Sequence, residues 1–271
     1  MTSQVWFVTG AGRGFGRLVT ERALAAGHRV VGTARNPAAL EDLLARHGDA
    51  LVALPLDVTD RAAVFAAVET AAKAFGRIDV VLNNAGQGLM GAVEELTEAA
   101  VRELMDVNFF GALWVTQAVT PVLRTQKSGR LLQMSSVGGV LGVPTMGAYA
   151  ASKWALEGLS EALAGELAPF GVHVTLVEPR TYATGFLRQS MKIAEPRPEY
   201  RPVRAALARA YAGDRPGDPA RVAEALLALA AVAEPPLRVL LGDGDYDVVL
   251  DAYRKRVEEW ERWERISRDA G

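Results

Sequence analysis

The chain has 271 residues, half of them hydrophobic, with 30 Lys and Arg against 32 Asp and Glu and a net charge of -2. That is enough to bury the core of one large α/β domain, and the dispersed charge leaves no concentrated basic face of the kind a nucleic-acid binder needs. With no cysteine there is no disulfide, thiolate nucleophile or Cys-ligated metal, and His28, His47 and His173 lie too far apart in sequence to form a metal-ligand pair at helical spacing. The longest apolar run, residues 222–233, contains Glu224 and is too short to cross a bilayer. The first residues enter an apolar strand with no basic or cleavable segment, so a cytoplasmic protein without metal or membrane partner is expected.

In chain order, residues 5–9 form a β-branched strand ending at glycine, and residues 17–26 carry helical spacing until Gly27 stops them. Strands follow at 30–33 and 51–56, with helices at 38–47 and 62–75. A strand at 80–82 precedes a long helix at 101–123, a strand at 130–134 precedes a helix at 149–167, and a strand is expected at 173–177. Near the end a helix spans 220–233, with Asp218 to cap it and Pro219 at its first position, before a last strand at 237–241. Short apolar strands alternating with amphipathic helices predict a doubly wound α/β fold, a parallel sheet covered on both faces within a single domain. Residues 180–214 break the alternation with Pro196, Pro198 and Pro202 and are expected to form a substrate-binding lid. Beyond the sheet, Val249, Tyr253, Val257, Trp260 and Trp263 recur at helical spacing, which points to core or subunit-interface packing.

Ligands of an open parallel sheet sit outside the carboxyl ends of its strands, so polar residues there carry the most weight. After the first strand come Gly10, Gly12, Arg13, Gly14, Phe15 and Gly16, which depart from the strict Gly-x-Gly-x-x-Gly spacing but stand between a strand and a helix. Such glycines turn the chain tightly and let backbone N–H groups and a helix N-terminus approach a pyrophosphate. After the second strand, where an acid would hold the 2′-hydroxyl of NAD, the chain has Arg35. Together with Arg13 it suits a 2′-phosphate through charge-assisted contacts and favours NADP(H) over NAD(H). Asp57, followed by Val58, either accepts from the adenine amino group or caps a turn, and Asn84, Ala85 and Gly86 end the fourth strand. Ser136 follows the fifth strand, and Tyr149 and Lys153 lie one helical turn apart downstream. A cation beside a phenol lowers its pKa and fits it to exchange a proton with an alcohol or carbonyl.

These ordered motifs resemble the short-chain dehydrogenase/reductase family over essentially the whole chain, most closely the branch of 17β-hydroxysteroid and retinol dehydrogenases. They are Thr9, Gly10, Gly14 and Gly16; Asn83 to Gly86; Asn108; Ser136; and Tyr149 with Lys153. The resemblance implies a Rossmann fold, a homodimer or homotetramer built on the helices from Val101 and Tyr149, and reduction of a small-molecule ketone to a secondary alcohol, or the reverse. It implies Tyr149 as general acid or base, Lys153 as the group that lowers its pKa and holds the nicotinamide ribose, Ser136 as the substrate's hydrogen-bond donor, and Asn108 as support for a water linked to Lys153. Pro179 and Thr184 match the family's nicotinamide contacts, but Arg180 replaces the usual glycine. Arg180, with Tyr182 and Phe186, is assigned to the substrate side, where Arg180 either favours an acidic or polyoxygenated substrate or points into solvent. Epimerisation or dehydration on the same residues, or NADPH binding without turnover, are the alternative activities.

Overall fold

The computed structural model describes residues 3–213, 215–242, 244 and 246–271. The expected end of the lid, Asp214, and the first two residues of the N-terminal segment lie outside them. Among the described residues nine strands follow in order: β1 Val5–Val8, β2 Arg29–Ala34, β3 Leu51–Pro55, β4 Val80–Asn83, β5 Gly88–Met90, β6 Gly129–Met134, β7 Val172–Pro179, β8 Met191–Ile193 and β9 Arg238–Leu241. Seven of them form a parallel sheet in the order β3-β2-β1-β4-β6-β7-β9, and β5 and β8 pair separately. The chain order reverses between β1 and β4, the switch point at which doubly wound folds open a ligand crevice.

Two apolar layers explain why the strands are hydrophobic throughout. Along β1, Trp6 and Val8 enter one core and Phe7 the other, because successive strand side chains point to opposite faces. The first core is closed by α1 (Gly14–Ala25), which contributes Val19 and Ala23, and by a later helix, Pro219–Ala231, which contributes Val222 and Leu226. The second is closed by the helix Arg61–Phe75 through Val64 and Val68, by Gly111–Gln126 through Val115 and Val119, and by Gly147–Leu167 through Leu163. The predicted fold is the one observed.

Three local differences matter for the site. The long helix expected from Val101 is two helices, Glu98–Met105 and Gly111–Gln126, joined by a π-turn at Asp106–Phe110. Such a turn re-aims side chains locally, and here it carries Asn108. Residues 180–213 are not a plain loop: they hold a short helix Phe186–Gln189, strand β8 and a helix Arg201–Ala210. Strand β8 adds in parallel to β5, which begins two residues after Gly86. At the C-terminus only Val249 of the expected apolar stripe is buried; Tyr253, Val257, Trp260 and Trp263 are exposed, so core packing holds for one residue of five. The helix Tyr246–Arg262 is docked instead by the Arg256 guanidinium, 5.2 Å from the Trp154 ring and 4.9 Å from that of Tyr253.

Candidate active site

At the switch point the ends of β1 and β4 are laced together. The Thr9 hydroxyl accepts from the amides of Asn84 at 2.9 Å and Ala85 at 3.0 Å, and Asn84 Nδ2 donates to the Thr9 carbonyl at 2.9 Å. Gly10 and Gly14 have φ of 65° and 56°, the left-handed region that other residues rarely enter. At Gly16 a Cβ would lie 2.6 Å from Asn84 Nδ2 and against the Gly10 carbonyl, so only glycine lets α1 begin this close to the turn. The N-cap position of α1 is Arg13, which makes no side-chain cap. Among the described residues the first-turn N–H groups of α1 therefore have no side-chain acceptor, and Gly14 and Phe15 border the cleft, an arrangement that fits an anionic diphosphate.

Gly10, Gly12, Gly14, Phe15, Arg35, Asp57, Val58 and the Asn84-Ala85-Gly86 turn all line one cleft of about 890 Å³, which continues past Ser136, Tyr149 and Lys153 to Pro179, Thr184 and Phe186. Arg35 is exposed directly after β2. Asp57 Oδ1 accepts from the Thr59 amide at 3.0 Å and hydroxyl at 2.8 Å, so the turn-capping role is realised while the residue still borders the cleft. Arg13 is drawn across the opening: Nη2 donates to Ser190 Oγ at 2.9 Å and Nη1 approaches Gln189 Oε1 at 3.5 Å.

Ser136 caps the short turn Val137–Gly139, its hydroxyl accepting from the Gly138 amide at 3.0 Å. The close approach of that turn explains Gly138, where a Cβ would stand 3.1 Å from the Tyr149 ring. Tyr149 is half-buried, with the Phe186 ring centroid 6.2 Å from its own. Lys153 is buried, and its Nζ donates to the Met134 carbonyl at 2.7 Å while standing 5.9 Å from the Tyr149 ring centroid. Burial pushes the Tyr149 phenol up, with the Ser136 hydroxyl acting against it, so the expected lowering by Lys153 is not the governing effect in this geometry. Desolvating the phenolate outweighs a cation whose nearest hydrogen-bond partner is a carbonyl. Burial also brings Lys153 down to about 8, opposed by Glu157.

Asn108 stands behind this floor, outside the cleft lining. Its Nδ2 donates to the Gln87 carbonyl at 2.9 Å and to Ser152 Oγ at 3.0 Å, and its Oδ1 accepts from the Gln87 amide at 2.9 Å. The π-turn thus fixes the backbone after Gly86 to the helix that carries Tyr149 and Lys153. Of the residues assigned to the substrate side, Phe186 meets Tyr149, but Tyr182 packs edge-on against Phe15 with centroids 5.5 Å apart, at the glycine-turn end. The Arg180 amide donates to the Leu241 carbonyl at 3.2 Å, and its side chain runs along Gly242 and Gly244.

Sequence reasoning missed the contacts that tie residues 180–213 to the rest of the fold. Glu95 is the chief of them: its carboxylate accepts from the amides of Ala92 and Arg197, each at 2.7 Å, and pairs with Arg204. Lys192 pairs with Glu103 at 2.5 Å. No local pattern marks these residues, because their partners are remote in sequence. Among the described residues no His, Asp and Glu cluster could hold a metal, and no helix is long and apolar enough to cross a membrane.

Comparison with known proteins matches residues 4–193 to the short chain dehydrogenase family. The chain is a short-chain dehydrogenase/reductase. A short-chain dehydrogenase from Streptomyces avermitilis superposes with a TM-score of 0.92 at 40% identity, covering 100% of this chain and 99% of that one. A family member from Burkholderia phymatum, solved in complex with NAD, superposes with a TM-score of 0.80 at 28% identity over 96% and 94% of the two chains. The 3-ketodihydrosphingosine reductase of Bacteroides thetaiotaomicron is 42% identical over 69% of this chain and 66% of its own. This short-chain dehydrogenase/reductase is therefore an oxidoreductase whose fold binds a nicotinamide cofactor.

Proposed function

We propose that the protein reduces a ketone to a secondary alcohol with NADPH. The observation that carries the proposal is the shared cleft: a Tyr149 hydroxyl backed by Ser136 and Lys153 opens into the same space as the glycine turn and Arg35. The glycine turn and the N-terminus of α1 would hold the diphosphate, Arg35 and Arg13 the 2′-phosphate, and Asp57 and Val58 the adenine side. Asn84, Ala85, Gly86, Pro179 and Thr184 would border the nicotinamide half, which when bound supplies the hydride.

Ser136 donates to the substrate oxygen and Tyr149 gives it a proton as the carbonyl becomes an alkoxide. The raised phenol keeps that proton at neutral pH, which suits the reductive direction. Lys153 holds a positive charge beneath the reacting oxygen, and Asn108 fixes the helix that presents both residues. Residues 180–213 would act as the lid, with Phe186 against Tyr149 and Met191 in the same cleft lining, and would exclude water from the proton transfer. With Val137, Leu141, Val143, Met146 and Leu187 lining the same end, the lid supports a bulky apolar ketone over an acidic one. Arg180 borders the cleft, with its side chain along Gly242 and Gly244. A dimer or tetramer would form on the helices Gly111–Gln126 and Gly147–Leu167, whose flanks expose Phe110 and Trp154.

The test is NADPH oxidation against a panel of neutral and acidic ketones, with Tyr149→Phe alongside. The variant loses kcat by about a thousandfold while its NADPH affinity stays within about twofold. Undiminished turnover in Tyr149→Phe, or no NADPH consumption with any ketone, overturns the proposal.

A further inference from the structure

Behind the catalytic loop lies a buried group of charges that the mechanism above does not use. Glu157 is one helical turn beyond Lys153, with its side chain 8% exposed, and Glu178, the residue before Pro179, is 3% exposed. Both carboxylates flank one guanidinium: Arg238 Nε lies 3.1 Å from Glu157 Oε2 and 3.8 Å from Glu178 Oε1. Its Nη2 meets Glu161 at 2.6 Å. On the other side Glu157 meets the catalytic loop itself. A Cβ at Gly139 would stand 3.1 Å from Glu157 Oε1 and against the Ser135 hydroxyl, so the turn that follows Ser136 is seated on this carboxylate.

We propose that Glu157, held in place by Arg238, is a positioning residue of the reaction that sets its negative charge one helical turn from Lys153 and seats the turn that presents Ser136. The inference rests on the assignment of Tyr149 and Lys153 to proton transfer. A buried carboxylate is costly unless paired, and one placed here is paired through Arg238 without closing on Lys153. It therefore acts on the lysine through the field, leaving Nζ on the Met134 carbonyl and turned toward the cleft. The groups facing Glu157 are Lys153 and Glu161 on its own helix, Ser135 after β6, Glu178 on β7 and Arg238 on β9. Burial pushes Glu157 up, and Ser135, Arg238 and Lys153 oppose the rise. Losing the Glu157 charge removes an acid that offsets the burial of Lys153.

The experiment measures kcat/KM for ketone reduction and, separately, NADPH binding by fluorescence, both against pH. In Glu157→Gln the alkaline limb set by Lys153 moves down by about one pH unit, and NADPH affinity near pH 9 falls about tenfold with little change near pH 6.5. Glu157→Asp, which keeps the charge but shortens its reach, moves the limb by about half as much, and it decides the matter if the Gln variant does not fold. Glu178→Gln, neutralising the other carboxylate on Arg238, leaves the limb in place. An unmoved limb in both Glu157 variants, even with a lowered melting temperature, overturns the inference and leaves Glu157 a structural residue. Tyr149→Phe separates the two failures: if it retains turnover, the assignment of proton transfer fails; if it is inactive while the limb stays, only the role of Glu157 fails.

Discussion

Glu95 and Arg204 form an ion pair across 109 residues of sequence, with the Glu95 side chain wholly buried. Burial alone would raise the Glu95 carboxyl; the donors from Arg204, Arg197 and Ala92 more than reverse this and bring it to about 2. A carboxylate depressed in the folded state stabilises above its unfolded value near 4.5 and loses that contribution as pH falls through about 2. The proposed lid is therefore anchored throughout the neutral range. Glu95→Ala frees residues 195–213 to be cleaved by a protease under conditions where the native lid resists, and lowers kcat/KM for the ketone by about tenfold. NADPH affinity is the control, because Glu95 does not line the cleft.

Arg35 is the residue on which the proposed cofactor choice turns. It is exposed after β2, borders the cleft, and stands where an acid would accept from a ribose 2′-hydroxyl. Arg35→Asp lowers kcat/KM with NADPH by about a hundredfold and raises the value with NADH, as a 2′-phosphate then faces a like charge. Steady-state kinetics with both cofactors reads the switch. Equal loss with both would place Arg35 outside the 2′-site.

Arg13, the other cation named for that phosphate, bonds the lid through Ser190. Ser190→Ala removes the hydroxyl of that contact and loosens the proposed lid over the diphosphate end. The expected result is a rise in the NADPH dissociation rate of about threefold with little change in the chemical step. Stopped-flow release of NADPH and single-turnover kinetics separate the two.

The main sheet was legible because a fully buried parallel strand must be apolar on both faces, as Val80 to Leu82 and Leu131 to Leu132 are. The candidate site was legible for a different reason: the glycine turn and Ser136 follow strand ends, and local spacing fixes Gly10 to Gly16 and Tyr149 to Lys153. What escaped depends on partners distant in the chain. The π-turn at Asn108 is stabilised by Gln87 and Ser152, neither of which has a helix-breaking signature. The pairing of β8 with β5 joins two three-residue segments, too short for an alternation of hydrophobic and polar residues to register. Trp260 and Trp263 are exposed, which leaves the core half of the core-or-interface reading unmet, since a helical stripe of aromatics shows that a face is apolar and not whether the same chain covers it.

Glu178 gives a stability prediction whose sign follows from its shift. Burial, and then the nearby Glu157, raise its carboxyl to about 7, against which Arg238 acts. A carboxyl raised from 4.5 stabilises the fold while protonated, and that contribution is lost as pH climbs through about 7. Glu178→Gln keeps the shape and a neutral head at every pH, so it removes the penalty of ionising a buried acid. The variant melts at a higher temperature than the native protein at pH 8, by about 1–2 kcal/mol of added stability, and the difference vanishes near pH 5. Thermal melts across that interval carry the test. A variant less stable at pH 8 than the native chain would show instead that the ionised Glu178 is held favourably by Arg238, and that the two buried carboxylates are both charged in the working enzyme.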